Sequence, residues 1–258
     1  NCIIVNIFIM KMDSLLKSKL LFIFIFILLC YSEMNSNFQN SSQLELQIQN
    51  VLKRIYPKNP ITVKVVVNPS NPNELKTLSI KIENIREGLF SIDIFTIIFQ
   101  NPKLDFNALK KNTLKIPSAN SFKANVFLSP DALENYIQSK SKSLGRKNVN
   151  VSIKLSSPFV EATYDVPTSQ IGKESQNILS KFITKSLNGY AAFTFKVKNN
   201  ALSAYSTKVI LNHFLLPEQV LKYFTSNHNP FEEVPQIYPF SYRLNNVTVQ
   251  KNYLYLSN

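Results

Sequence analysis

Apolar residues follow distinct rhythms along this chain. Near its start they run unbroken from Leu20 to Leu29, behind a basic segment (Lys11, Lys17, Lys19) and ahead of Cys30, Ser32 and an Asn/Ser-rich stretch. A basic, then apolar, then small-residue order is that of a secretory signal. The run is shorter than the roughly 20 residues a membrane-crossing helix needs. Residues 1–32 are therefore expected to be a signal peptide cleaved after Ser32, or an uncleaved anchor. Acylation of Cys30 is the weaker option, because Leu29 before it is not small. Met10 or Met12 is the expected start, with residues 1–9 outside the reading frame. Residues 33–42 read as a linker and 43–258 as the folded domain.

The next rhythm is helical: Leu44, Ile48, Val51, Leu52 and Ile55, with Ser41 or Ser42 as N-cap and Pro57 beyond the end. Alternation with a period of two then takes over. Ile61, Val63, Val65 and Val67 share one face of a strand, and Leu78, Ile80 and Ile82 one face of the next, after a loop over Asn68–Asn73. Phe90–Phe99 carries Ile92 and Ile94 on one side and Phe95, Ile97 and Phe99 on the other, so both of its faces need cover. A strand with Phe122, Ala124, Val126 and Leu128 leads to Ser129-Pro130-Asp131, the start of a helix whose apolar face is Leu133, Tyr136 and Ile137. Strands follow near Val149–Leu155 and Phe159–Val166. A helical stripe runs from Ile178 to Leu187, ending at Gly189. A hairpin joins Tyr190–Val197 to Ala201–Leu211, Pro217 opens another helix, and a hairpin of Tyr242–Val249 and Tyr253–Leu256 closes the domain.

Strands interleaved with helices and joined by hairpins predict an α+β fold built on a curved antiparallel sheet wrapped around helices. The Pro130 and Pro217 helices, each following a strand with the same internal spacing, hint at two related halves.

Composition narrows the chemistry. The formal charge of +13 falls to about +11 without the leader. Such a surplus favours anionic partners: phospholipid head groups at a membrane surface, acidic glycans or nucleic acid. A chain rich in Lys, Asn and Ile, with Arg only at 54, 86, 146 and 243, also looks like the product of an AT-rich genome, which raises charge without a functional cause. An exported chain is not expected to meet nucleic acid. Both cysteines, Cys2 and Cys30, fall in the leader, so neither a disulfide framework nor a thiolate metal site is expected in the domain. Four glycines cannot build a phosphate-binding loop. The histidines, His213 and His228, lack metal-ligand spacing, and Asp93, Asp105, Asp131, Glu134, Glu161 and Asp165 are scattered. No metal, cofactor or catalytic set is therefore expected.

What remains is the apolar surplus. It is covered either by the domain's own helices or by lipid chains in a groove between sheet and helix. At roughly 25 cal/mol per Å² an aliphatic groove suffices to hold an acyl chain. The alternation nominates Ile80, Ile82, Ile92, Ile94, Val126, Leu133, Ile137, Phe193 and Phe195 as its lining. Lys140, Lys142, Arg146 and Lys147 are candidates for a phosphate head group, although basic residues at a helix end also answer the helix dipole.

The segments Leu78–Ile85, Gly88–Ile94 and Phe122–Ile137, followed by Leu216-Pro217, Asn229-Pro230, Pro239-Phe240, Leu244 to Val249 and Tyr253–Leu256, together resemble the LmeA-like phospholipid-binding family over roughly Leu44 to Leu256. The order and spacing of these segments carry the resemblance. It implies an exported, non-enzymatic bacterial envelope protein that binds phospholipid, with a tubular lipid-binding fold and no cofactor. An envelope structural or assembly factor without lipid cargo is the alternative expectation, and a glycolipid hydrolase using Asp131, Glu134 and Glu161 a third.

Overall fold

The computed structural model describes residues 41–143, 150–167, 186–198, 201–217 and 237–258. Helix α1 (Ser41–Ile55) buries Leu44, Ile48, Val51 and Leu52, the stripe its spacing predicts. Strands β1 (Ile61–Asn68), β2 (Asn71–Glu87) and β3 (Phe90–Gln100) form an antiparallel meander. A short helix, α2 (Phe106–Lys110), precedes β4 (Ser121–Leu128), and helix α3 (Pro130–Ser143) follows it. Next come β5 (Asn150–Ser156), β6 (Phe159–Pro167), β7 (Ser186–Lys198), β8 (Ala201–Leu211) and the two-residue β9 (Phe214–Leu215). The last strands are β10 (Asn246–Val249) and β11 (Leu254–Ser257).

The fold is α+β and antiparallel. Where one curved sheet is expected from the sequence, the strands divide between two. The first is six-stranded in the order β1-β2-β3-β4-β11-β10, the second five-stranded in the order β5-β6-β7-β8-β9. The division falls at α3: β11 occupies the outer edge of β4, so the chain leaving α3 starts a new sheet.

Several boundaries differ from expectation. Asn71, Pro72 and Asn73 belong to β2 rather than a loop, because β1 and β2 keep pairing through an irregular register as far as Asn68 opposite Asn71. Ser186 to Gly189 are strand, not the end of a helix: Leu187 pairs with Val166 and Gly189 with Tyr164. The rest of that expected helix, the Pro217 helix beyond Pro217, and the Asn199-Asn200 turn lie outside the described residues, as does the leader. Tyr242 to Asn245 are irregular, and the last hairpin begins at Asn246. Among the described residues no helix is long and apolar enough to cross a membrane.

One cluster of buried apolar side chains unites α1, α3, both sheets and the segment before β10. In the first sheet it is built from cross-strand sets such as Ile61–Ile82–Phe95–Val126–Leu256. Along β2 the buried positions step from Ile82 to Ile85, and along β3 from Phe95 to Ile92. Both steps span three residues at the same level, beside Asn84 in the left-handed region (φ 57°). An asparagine tolerates that conformation better than most residues. Past the step, Phe90 stacks on Tyr136 of α3 at 4.1 Å.

Candidate functional site

The inner face of the first sheet contributes Ile80, Ile82, Phe95, Ile97, Phe99 and Val126 to the buried cluster. Residues 237–244 cross it without joining a ladder. Ile237, Phe240, Tyr242 and Leu244 are buried, whereas Tyr238, Ser241 and Arg243 are exposed. Phe240 and Tyr242 lie 5.6 and 5.4 Å, centroid to centroid, from Phe95, and Phe240 also meets Phe99. The hydroxyl of Tyr56, just past α1, donates to the Tyr238 carbonyl at 2.6 Å. A segment that turns at Tyr238-Pro239, where the Phe240 amide donates to the Ile237 carbonyl at 2.9 Å, thus lays Phe240 and Tyr242 on the sheet.

Most of the nominated lining residues belong to or pack against the one apolar cluster, spread over both sheets and α3. Ile80, Ile82, Ile92, Val126 and Leu133 are wholly or almost wholly buried, Phe195 is buried, and Ile137 and Phe193 pack against the same cluster. Ile94 does not join it. That residue pairs with Glu83 and Phe127, one position out of step with Phe95, and is half-buried. Of the nominated head-group cations, Lys140 and Lys142 stand in the last turn of α3, and Arg146 and Lys147 lie outside the described residues.

The carboxylates are dispersed, and several serve the backbone. Asp93 accepts from the Ser129 amide at 2.6 Å and the Ser129 hydroxyl at 3.0 Å, and that hydroxyl in turn accepts from the Ala132 amide as N-cap of α3. Asp105 caps α2 through the Ala108 amide. Asp131 is exposed in the first turn of α3. Among the described residues no group of three or more His, Cys, Asp or Glu side chains could hold a metal ion.

Two further carboxylates form a repeated device that the sequence reading missed. Glu45 of α1 accepts from the Val65 amide of edge strand β1 at 2.7 Å, while Gln49, one turn on, donates to the Ile61 carbonyl. Glu134 of α3 accepts from the Ile153 amide of edge strand β5 at 2.6 Å. Each sheet therefore has an outer edge closed by the helix that precedes it, which removes an open ladder that could pair with another chain. The available signal was the match between Leu44-Glu45…Ile48-Gln49 and Leu133-Glu134…Ile137-Gln138.

On the second sheet, Tyr164 sits opposite Gly189. Its ring occupies the space where a Cβ on Gly189 would lie. Burial pushes the Tyr164 phenol up to about 12. The native state therefore keeps a proton that the unfolded chain releases near pH 10, so this residue's contribution to stability falls as pH rises from about 10 to about 12. A Tyr164→Phe variant should lose less stability than the parent over that interval in alkaline denaturation. Gly189→Val should displace the ring, cost about 1–3 kcal/mol, and return the phenol towards its ordinary titration in ultraviolet difference spectra. Unchanged titration in Gly189→Val would contradict this packing. The neighbouring Tyr190 phenol is also raised, first by burial, then by Glu161, which repels the phenolate and accepts the phenol's hydrogen bond.

No family model, curated protein or solved structure matches the chain.

Proposed function

We propose that this chain is a non-enzymatic lipid-binding protein, exported to the periplasm or cell envelope, that holds phospholipid acyl chains along the inner face of the first sheet. The observation that carries this reading is the seat of residues 237–244: the sheet face is covered by Phe240 and Tyr242 from a segment outside the ladders, and an apolar face of that kind suits an acyl chain. A bound chain would lie against Phe95, Phe99 and the Ile80–Ile82–Val126 surface in place of that segment. The basic surplus suits an anionic head group or membrane surface, and the resemblance to the LmeA-like family points the same way. The binding needs no cofactor. The bond of Glu134, one of the three carboxylates that hydrolysis would use, to the Ile153 amide weighs against that reading.

A second reading, a structural or assembly factor of the envelope, is favoured by one observation: Ile80, Ile82, Ile92 and Val126 are already fully covered by the chain itself. Purification from the native host followed by lipid mass spectrometry separates the two. Lipid binding predicts co-purified phospholipid approaching one molecule per chain. A lipid-free protein that also takes up no phospholipid from vesicles would leave the structural role.

A further inference from the structure

The hairpin between β8 and β9 carries apolar residues that the core does not use. Ile210, Leu211, Phe214, Leu215 and Leu216 surround its turn, and none belongs to or packs against the central cluster. Phe214 is 57% exposed and Leu215 65%. Leu211 pairs with Phe214 and Ile210 with Leu215, and side chains of successive residues leave a strand on opposite sides, so both faces of the tip are apolar. A strand that served only to bury one face would be polar on the other.

The tip is also held in shape. Asn212 and His213 both adopt left-handed backbone conformations (φ 44° and 73°), as a tight two-residue hairpin turn requires. The Asn212 amide donates to the Asn188 carbonyl, and the Asn188 amide to the Asn212 side-chain oxygen, each at 2.8 Å, which ties the turn to β7. Behind the tip, exposed Lys208 places its ammonium 5.9 Å from the centre of the Tyr190 ring. The nearest acidic groups are on β6: Glu161 accepts from the Tyr190 phenol, and Asp165 pairs with Asn188 at the level of the turn.

We propose that the β8–β9 hairpin is a membrane-docking wedge that inserts Phe214 and Leu215 among the lipids of an anionic bilayer. A turn tied to β7, apolar on both sides and backed by Tyr190 and Lys208, fits the boundary between head groups and acyl chains. Even at about 250 Å² apiece, the upper end for an aromatic side chain, Phe214 and Leu215 at 57% and 65% exposure would bury only about 600 Å² across a pair of tips, short of the roughly 1,000 Å² in total that a stable protein interface needs. A second copy of the chain is thereby the poorer occupant. The positive charge of the chain complements anionic head groups. This inference deepens the lipid-binding reading by naming the face that meets the membrane.

The test uses the full chain with Cys2 and Cys30 replaced by Ser and a single environment-sensitive fluorophore at Leu215→Cys or, as control, at Leu46→Cys, which is also exposed (56%). Vesicles contain phosphatidylcholine and phosphatidylglycerol, with or without a spin-labelled acyl chain. On pelleted, vesicle-bound protein the probe at 215 should brighten at least twofold and be quenched by the spin label, and the probe at 46 should do neither. Adding Phe214→Ser should at least halve the quenching at 215 with the circular dichroism spectrum unchanged. A water-like probe at 215 on bound protein, or equal quenching at 46, overturns the wedge. So does a vesicle-independent signal that grows with protein concentration, which would mean self-association. Co-purified lipid is read separately, so failure of the wedge leaves the interior site standing, and the reverse.

Discussion

Replacing Phe95 by Ala is expected to destabilise the protein by about 3–5 kcal/mol. Phe95 is fully buried, pairs with Ile82 and Val126 across the first sheet, and holds Phe240 and Tyr242 from the segment above. Truncation removes the transfer free energy of the ring and opens a cavity beneath two aromatic neighbours that have little room to collapse. Domains are commonly stable by only about 5–15 kcal/mol, so the loss is a large share of the total. Phe122→Ala is the matched control: its ring meets Phe99 at 6.0 Å but is 38% exposed, so a much smaller cost is expected. Urea midpoints at equal slope would measure both. A cost below about 1 kcal/mol for Phe95→Ala would mean that residues 237–244 are not seated as described.

The double variant Glu45→Ala/Glu134→Ala carries the second large effect. Each substitution leaves a part-buried edge-strand amide, Val65 or Ile153, without its carboxylate acceptor. A hydrogen bond to a charged group is worth about 1.5–3 kcal/mol, and the lower end applies where water can take its place. The two sites lie in different sheets, so the costs should nearly add to about 3 kcal/mol or more. Gln at either position keeps an acceptor oxygen and should recover most of the loss. If Gln proved as damaging as Ala, the charge rather than the bond would be what matters. The Ala variants should also aggregate faster, because an uncovered strand edge can pair with another chain.

Elements with a clean period were legible in the sequence. The stripe Leu44–Ile48–Val51–Leu52 became the buried face of α1, and Ser129-Pro130 opened α3 as its capping chemistry required. The buried set Ile80–Ile82–Val126 was likewise readable from alternation. Ile94 was not, because the three-residue step between Ile92 and Phe95 depends on a backbone conformation at Asn84, which no hydrophobic pattern reports. Leu187 read as helix because Phe182, Ile183 and Leu187 share helical spacing, while its strand pairing with Val166 is a tertiary fact. The division into two sheets was hidden for a similar reason: it depends on which distant strand takes the edge of β4.

That edge has a consequence for how the protein is made. The partner of β4 is β11, and Asn258 extends the match: its side chain accepts from the Ala124 amide, 134 residues earlier, and donates to the Phe122 carbonyl. The ribosome must deliver all the intervening residues before the first sheet can close, and such long-range pairing is slow to form. Until then the β1–β4 ladder can pair, but β4 keeps an open outer edge that only the last residues of the fold close.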